Sequence, residues 1–164
     1  MASVLIVDDD FDTLELSIKL LESAGHRVQS GHNGEEGLKS LAAGPLPDCV
    51  VLDVEMPVLS GPGMAHLMRL HDAGEEKIPI LLVSGRDDLS EVARRIGTPY
   101  FLAKGISGYG KALLELLDRA LGEGLAPSSA LAGERRATTH ASTRACLVAG
   151  VSGVPRPASS RSDS

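Results

Sequence analysis

The sequence predicts a doubly wound α/β fold, a five-stranded parallel sheet with helices on both faces. Three observations carry the prediction. Over residues 1–121, short apolar runs alternate with segments of helical periodicity, and such alternation builds parallel sheets through crossover helices. The runs Val4-Leu5-Ile6-Val7, Cys49-Val50-Val51-Leu52 and Ile80-Leu81-Leu82-Val83 are continuously apolar, the signature of strands buried on both faces. The chain has 164 residues, 43% hydrophobic and 23% charged, which suits one ordinary core plus an extension.

Taken in order, Val4 to Val7 is the first strand, ending in acids at Asp8. From Asp12 to Ala24, Leu14, Ile18 and Leu21 recur at helical spacing, and Gly25 stands where a glycine ends a helix. Arg27 to Ser30 is the second strand. Asn33 can cap a helix from Gly34 to about Ala42, after which Pro45 and Pro47 force a loop. The third strand, Cys49 to Leu52, again ends in an acid, Asp53. Beyond a Pro/Gly loop, Pro62 fits the first turn of a helix reaching about Ala73. Ile80 to Val83 is the fourth strand, Leu89 to Ile96 a short helix and Tyr100 to Ala103 the fifth strand. Lys111 to Leu121 is the last helix, with Leu113, Leu114, Leu117 and Leu121 on one side.

Residues 122–164 have a different character. Ala, Ser, Gly, Pro and Thr supply 27 of these 43 positions, and Phe, Tyr, Trp, Ile and Met are absent. So little apolar surface does not offset ordering entropy, and a disordered tail is expected after a domain of residues 1–121. One apolar stretch, Cys146 to Val154, is either a docking peptide or a stray patch. Charge divides at the same point. Residues 1–121 carry 19 acidic and 11 basic side chains, a net −8, against 3 and 5 in the remainder, a net +2. An acidic globular part attracts cations and repels nucleic acid, so no direct DNA binding is expected. The apolar runs are strand-sized, which excludes a helical membrane span. The N-terminus lacks the basic start and apolar stretch of a secretory signal, so a cytoplasmic location is expected. Cys49 and Cys146, too few for a disulfide framework, are expected as reduced thiols.

In a doubly wound sheet the site lies beyond the carboxyl ends of the strands. Those ends supply Asp8-Asp9-Asp10, Asp53, Ser84-Gly85 and Lys104. Carboxylates converging there repel one another and call for a cation. A few protein oxygens suit Mg2+, which keeps several waters and joins carboxylates to a phosphate. The Ser84 hydroxyl and the Lys104 ammonium are left to hold phosphoryl oxygens. The combination reads as an aspartyl-phosphate site.

These residues resemble the receiver domains of two-component response regulators. The match comprises Leu5-Ile6-Val7-Asp8-Asp9-Asp10, Leu52-Asp53-Val54-Glu55-Met56-Pro57 followed by Gly61, Ile78-Pro79-Ile80-Leu81-Leu82-Val83-Ser84-Gly85, and Phe101-Leu102-Ala103-Lys104. It covers residues 3–121, with four motifs in family order. The resemblance implies a flavodoxin-like strand order, 2-1-3-4-5, and a signalling module that catalyses only its own phosphorylation and dephosphorylation. Asp53 is then the phosphoacceptor, taking its phosphoryl group from a histidine kinase or a phosphotransfer protein. Asp9, Asp53 and the backbone carbonyl of Glu55 would ligate Mg2+, with Asp8 acting through a coordinated water. Ser84 is implied as the switch hydroxyl, Lys104 as the phosphate contact and Phe101 as the aromatic switch position. Gly85 would leave the donor's approach open. The implied output is a downstream protein partner on the face of the fourth helix, fifth strand and fifth helix, and a phosphorylation-dependent homodimer stays open.

Three departures accompany the resemblance. Gly105 replaces the proline that usually follows the lysine, so a trans and differently shaped loop is expected. The span from Ser84 to Lys104 is short, implying a clipped fourth helix. No DNA-binding module follows Leu121, which matches a stand-alone receiver.

Other readings of the residues also stay open. Gly105 to Ala112 has the glycine spacing of a P-loop, with Lys111 as its lysine, but Ala112 lacks the metal-binding hydroxyl. A receiver-like module that binds partners without phosphorylation would share the fold. Asp10 is a third ligand or a solvated loop acid, the Glu55 side chain a tuning group or an idle carboxylate, and Phe101 a switch or plain core. His66 and His71, five apart, suit no joint metal site, and His26 and His32 are loop residues without a partner in sequence.

Overall fold

The computed structural model describes residues 1–71 and 78–124. The elements are β1 (Ser3–Val7), α1 (Phe11–Ser23), β2 (Arg27–Gly31), α2 (Gly34–Ala43), β3 (Cys49–Asp53), α3 (Gly61–His71), β4 (Ile80–Ser84), α4 (Leu89–Ile96), β5 (Tyr100–Ala103) and α5 (Tyr109–Gly124). All strand pairs are parallel, in the order β2-β1-β3-β4-β5. Fold class and strand order therefore agree with expectation, and α4 is short, with eight residues. Element ends differ slightly. Helix α5 starts at Tyr109 and runs to Gly124, past the boundary expected after Leu121. The expected end of α3, near Ala73, lies outside the described residues, as do Cys146 and the tail beyond Gly124.

The continuous apolar runs are explained by two core layers. Alternate strand residues point to opposite faces. Leu5, Val7, Val50, Leu52, Ile80 and Leu82 pack against Leu38 and Leu41 of α2, Met64 and Met68 of α3, and Leu89 and Ala93 of α4. Val4, Ile6, Val51, Leu81 and Val83 pack against Leu14 and Leu21 of α1 and Leu113 and Leu117 of α5. Every residue of β3 and β4 is buried, whereas the edge strand β2 is mostly half-exposed. The polar sequence of β2, Arg27-Val28-Gln29-Ser30, follows from that edge position. Each fully buried Leu, Ile or Val contributes about 1.5–3 kcal/mol, so the central strands form the rigid base of what stands at their ends.

Two helix starts are fixed by side chains. Asp10 Oδ1 accepts from the backbone N–H groups of Asp12 (3.0 Å) and Thr13 (3.2 Å), capping α1. Asn33 Oδ1 accepts from Glu36 N at 2.9 Å, capping α2, and the Glu36 carboxylate reaches back to accept from His32 N at 2.8 Å, one residue before the cap. Asp10 is thus a helix cap, the role that neither open reading of this residue included.

After β3 the chain folds back tightly on itself. Gly61 N donates to Val54 O at 3.1 Å, and a Cβ on Gly61 would lie 2.0 Å from the carbonyl oxygen of Asp53. Only hydrogen fits, and this contact seats the start of α3 against the end of β3. Gly61→Ala is expected to cost about 1–3 kcal/mol through backbone displacement, read as a lower denaturant midpoint. An unchanged midpoint would mean that α3 does not sit this close to Asp53.

Candidate functional site at the strand ends

Parallel pairing brings the carboxyl ends of the strands to one edge. Val7 pairs with Leu52 and Asp53 with Val83, which places Asp8 beside Asp53 and Ser84 just beyond it. Ser84 pairs with Ala103, and Lys104 N donates to Ser84 O at 2.9 Å. Lys104 is therefore carried to the same crest by β5.

Its ammonium bridges two carboxylates. Lys104 Nζ lies 2.8 Å from Asp8 Oδ2 and 3.1 Å from Asp53 Oδ1. Asp8 and Asp53 are buried while Asp9 is exposed, and one oxygen from each of the three lies within 4.8 Å of the others. Asp8 Oδ1 also accepts from Asp10 N at 2.9 Å. Three carboxylates thus face one ammonium. Burial pushes the Asp53 carboxyl up to about 6, assisted by the Asp8 charge and opposed by Lys104. Burial acts against the charge on Lys104, but the hydrogen bonds and charges of Asp8 and Asp53 outweigh it and hold the ammonium above its ordinary range. Clustered hard oxygens with an excess of negative charge fit a small divalent cation such as Mg2+.

The other predicted residues surround this cluster. Ser84 is buried at the end of β4. Next to it, a Cβ on Gly85 would meet nothing within 4 Å, so the mouth is open on that side. Phe101 is 42% exposed, which removes the plain-core reading of this residue. The Glu55 side chain turns outward and is not idle. Its Oε1 lies 2.6 Å from Arg86 Nη1, and Arg86 also grips Asp88 through Nε (2.6 Å) and Nη2 (2.7 Å). Asp88 then forms no side-chain cap on α4.

Two features were not anticipated from sequence. One is Arg86, which ties the loop after β3 to the start of α4. A basic residue followed by two acids was readable at Arg86-Asp87-Asp88, but its reach to Glu55 was not. The other is Val58 in the loop after Asp53. It has φ +67, and Leu59 N donates to Pro57 O across it at 2.7 Å. Positive φ is strained for a β-branched residue, and such residues concentrate at functional loops.

The loop after Lys104 is as expected in one respect. No cis peptide occurs among the described residues, and Gly105 adopts φ +77, which proline does not reach. Lys104 nevertheless reaches both acids, so its placement does not depend on proline. Lys111 is exposed on α5, where Glu115 stands 3.6 Å away. His32 stacks on Phe11, with ring centroids 6.3 Å apart, and His66 is exposed. Cys49 is buried with its thiol pushed up to about 12 by burial, which leaves it unreactive.

A profile described as the response regulator receiver domain matches residues 4–114. Protein PilH of Pseudomonas aeruginosa is 34% identical over 106 residues, covering 63% of this chain and 86% of PilH. The transcriptional regulatory protein AfsQ1 of Streptomyces coelicolor is 33% identical over 111 residues, 66% of this chain. The chain spans only 47% of the length of AfsQ1. Among solved structures, the chemotaxis protein CheY4 of Vibrio cholerae superposes with a TM-score of 0.65 at 27% identity, covering 74% of this chain and 99% of that one. Among the described residues, no helix is long and apolar enough to cross a membrane.

The raised Asp53 pKa carries a pH signature. Folded Asp53 binds its proton more tightly than the unfolded chain, at about 6 against 3.8. Its contribution therefore opposes folding at neutral pH, turns favourable as pH falls through about 6 and is complete below the unfolded value. With metal chelated, the stability of the wild type relative to Asp53→Asn should rise by about 1 kcal/mol between about pH 7 and about pH 5. Denaturant unfolding at both pH values checks this, and a constant difference would show that Asp53 is not destabilised by burial.

Proposed function

This chain belongs to the response regulator receiver domain family, and from that premise we propose that it is a phosphoacceptor signalling module in which Asp53 receives the phosphoryl group. One observation carries the reading. A buried carboxylate at the centre of the sheet crest has an ammonium 3.1 Å away and two further acids within 4.8 Å. Phosphoryl transfer demands alignment and charge stabilisation more than covalent machinery, and this crest offers both.

In the proposed reaction an Asp53 oxygen attacks phosphorus in line. The Asp53 O–P bond forms as the P–N bond of a phosphohistidine breaks, and the imidazole leaves with the bonding pair. The donor is a histidine kinase or a phosphotransfer protein, approaching over Gly85. Asp9, Asp53 and the backbone carbonyl of Glu55 would hold Mg2+, with Asp8 acting through a bound water. When bound, that ion neutralises charge developing on the phosphoryl oxygens. Lys104 exchanges a carboxylate oxygen for a phosphoryl oxygen, a short movement from its present position. The Ser84 hydroxyl then donates to the phosphoryl group, and Phe101 turns inward from its exposed position. That movement alters the face of α4, β5 and α5, which would present the output to a downstream protein.

The P-loop reading receives no comparable support. Lys111 points to solvent beside Glu115, and Ala112 supplies no hydroxyl for a metal.

Incubation with acetyl phosphate and Mg2+ should add one phosphoryl group to the wild type by intact mass, and none to Asp53→Asn. Undiminished labelling of the variant would move the acceptor elsewhere, and no labelling of either would favour a module that works without phosphorylation. Lys104→Ala should slow labelling at least about tenfold, because it removes charge stabilisation at the reacting oxygens, whereas Lys111→Ala should change it little. Mg2+ should raise the melting temperature of the wild type by binding the native state, and raise it much less in Asp9→Ala. Equal shifts would remove Asp9 from the ligand set.

A further inference from the structure

The groove between α3 and α4 has a chemistry unlike the rest of the domain. We propose that it is a docking surface for a carboxylate-rich segment of a partner protein, separate from the face of α4, β5 and α5. The cavity has a volume of about 1030 Å³. Met56 and Val92 form part of an apolar floor, while His66 and Arg69 of α3 and Arg95 of α4 stand on its rim.

Charge sets this surface apart. Helices α1, α2 and α5 carry net charges of −2, −1 and −1, whereas α3 and α4 are each +1 over their described residues, and Gly61–His71 contains no carboxylate. In a domain of net −8 over residues 1–121, the two cationic helices lie side by side and open a groove between them. Arg86 closes the groove near the strand ends, but its guanidinium is already bound to Glu55 and Asp88. Arg69 and Arg95 differ, since no salt bridge among the described residues reaches either one. Asp88, which also lines the groove, is bound to Arg86. Among the described residues, then, no carboxylate occupies either rim guanidinium group.

The occupant follows from the combination. A small anion would find guanidinium groups on helix surfaces and no enclosed polar cradle, which small-ligand sites ordinarily provide. A chain segment bearing both acidic and apolar side chains satisfies the rim and the floor together. This inference does not rest on phosphorylation of Asp53.

The test is selection of binders from a display library of helical peptides on the unphosphorylated wild type, followed by measured affinities and amide-shift mapping by NMR. Selected peptides should be enriched several-fold in Asp and Glu over Lys and Arg, and their mapped contacts should fall on α3 and α4. Affinity should drop at least about tenfold in Arg69→Glu and in Arg95→Glu, decline with added salt, and stay unchanged in Lys111→Glu. Arg69→Ala and Arg95→Ala, expected to show smaller losses, cover the case in which a charge reversal disturbs folding. Peptides without acidic enrichment, affinities indifferent to both arginines, or contacts mapped elsewhere would overturn the proposal. So would stoichiometric displacement of the peptides by inorganic phosphate or ATP at low concentration, which would make the groove a small-anion site. Loss of acetyl phosphate labelling would bear on Asp53 alone and leave this result standing.

Discussion

Asp8 and Asp53 lie buried at adjacent strand ends, and the ammonium of Lys104 sits within 2.8 Å of one and 3.1 Å of the other. Without that cation, two desolvated carboxylates at the crest of the sheet would repel each other in surroundings that screen poorly. Much of the architecture serves to hold these groups at that spacing. Parallel strands bring their ends to one edge, the apolar strands β3 and β4 fix the centre of that edge, and the Lys104 backbone extends the ladder by one bond to Ser84. The compensation is incomplete, since Asp53 remains raised to about 6. A site that is short of positive charge in this way is prepared for a divalent cation.

The same crest joins the two faces of the sheet. Ser84 ends β4, whose side chains reach both core layers, and Phe101 lies exposed on the neighbouring strand β5. A change at Asp53 therefore has a short route to the surface through elements already in contact. The backbone near Asp53 is strained at Val58, with φ +67, and at Gly61 it passes so close to the Asp53 carbonyl that only hydrogen fits. Such crowding suits a loop with discrete arrangements better than one that deforms gradually.

Arg86 adds a second tie across the site. It joins Glu55, two residues past Asp53, to Asp88 at the start of α4. Exposed ion pairs of this kind contribute at most about 1 kcal/mol each to stability, so the importance of Arg86 lies in position. It takes Asp88 away from capping α4 and closes one end of the groove whose rim carries Arg69 and Arg95.

Much of this was legible in the sequence. Burial on both faces leaves continuous apolar runs, so the central strands and their parallel arrangement were readable, while their order came from the resemblance to receiver domains; the position of a ligand site at strand ends singled out Asp8, Asp9, Asp53, Ser84 and Lys104. Helix spacing and Asn33 placed the helices to within a few residues. Only the tertiary structure decided which groups meet. The Glu55–Arg86 pair spans 31 positions; Phe101 is exposed although it follows an apolar strand pattern; Asp10 turned from a candidate ligand into a helix cap; and Gly61 is glycine because the Asp53 carbonyl occupies the place of its side chain. The physical reason is one of range. Periodicity and strand-end position are set by neighbours along the chain and are written locally, whereas ion pairing and steric clearance depend on distances between segments far apart in sequence, which exist only after the strands have taken their order.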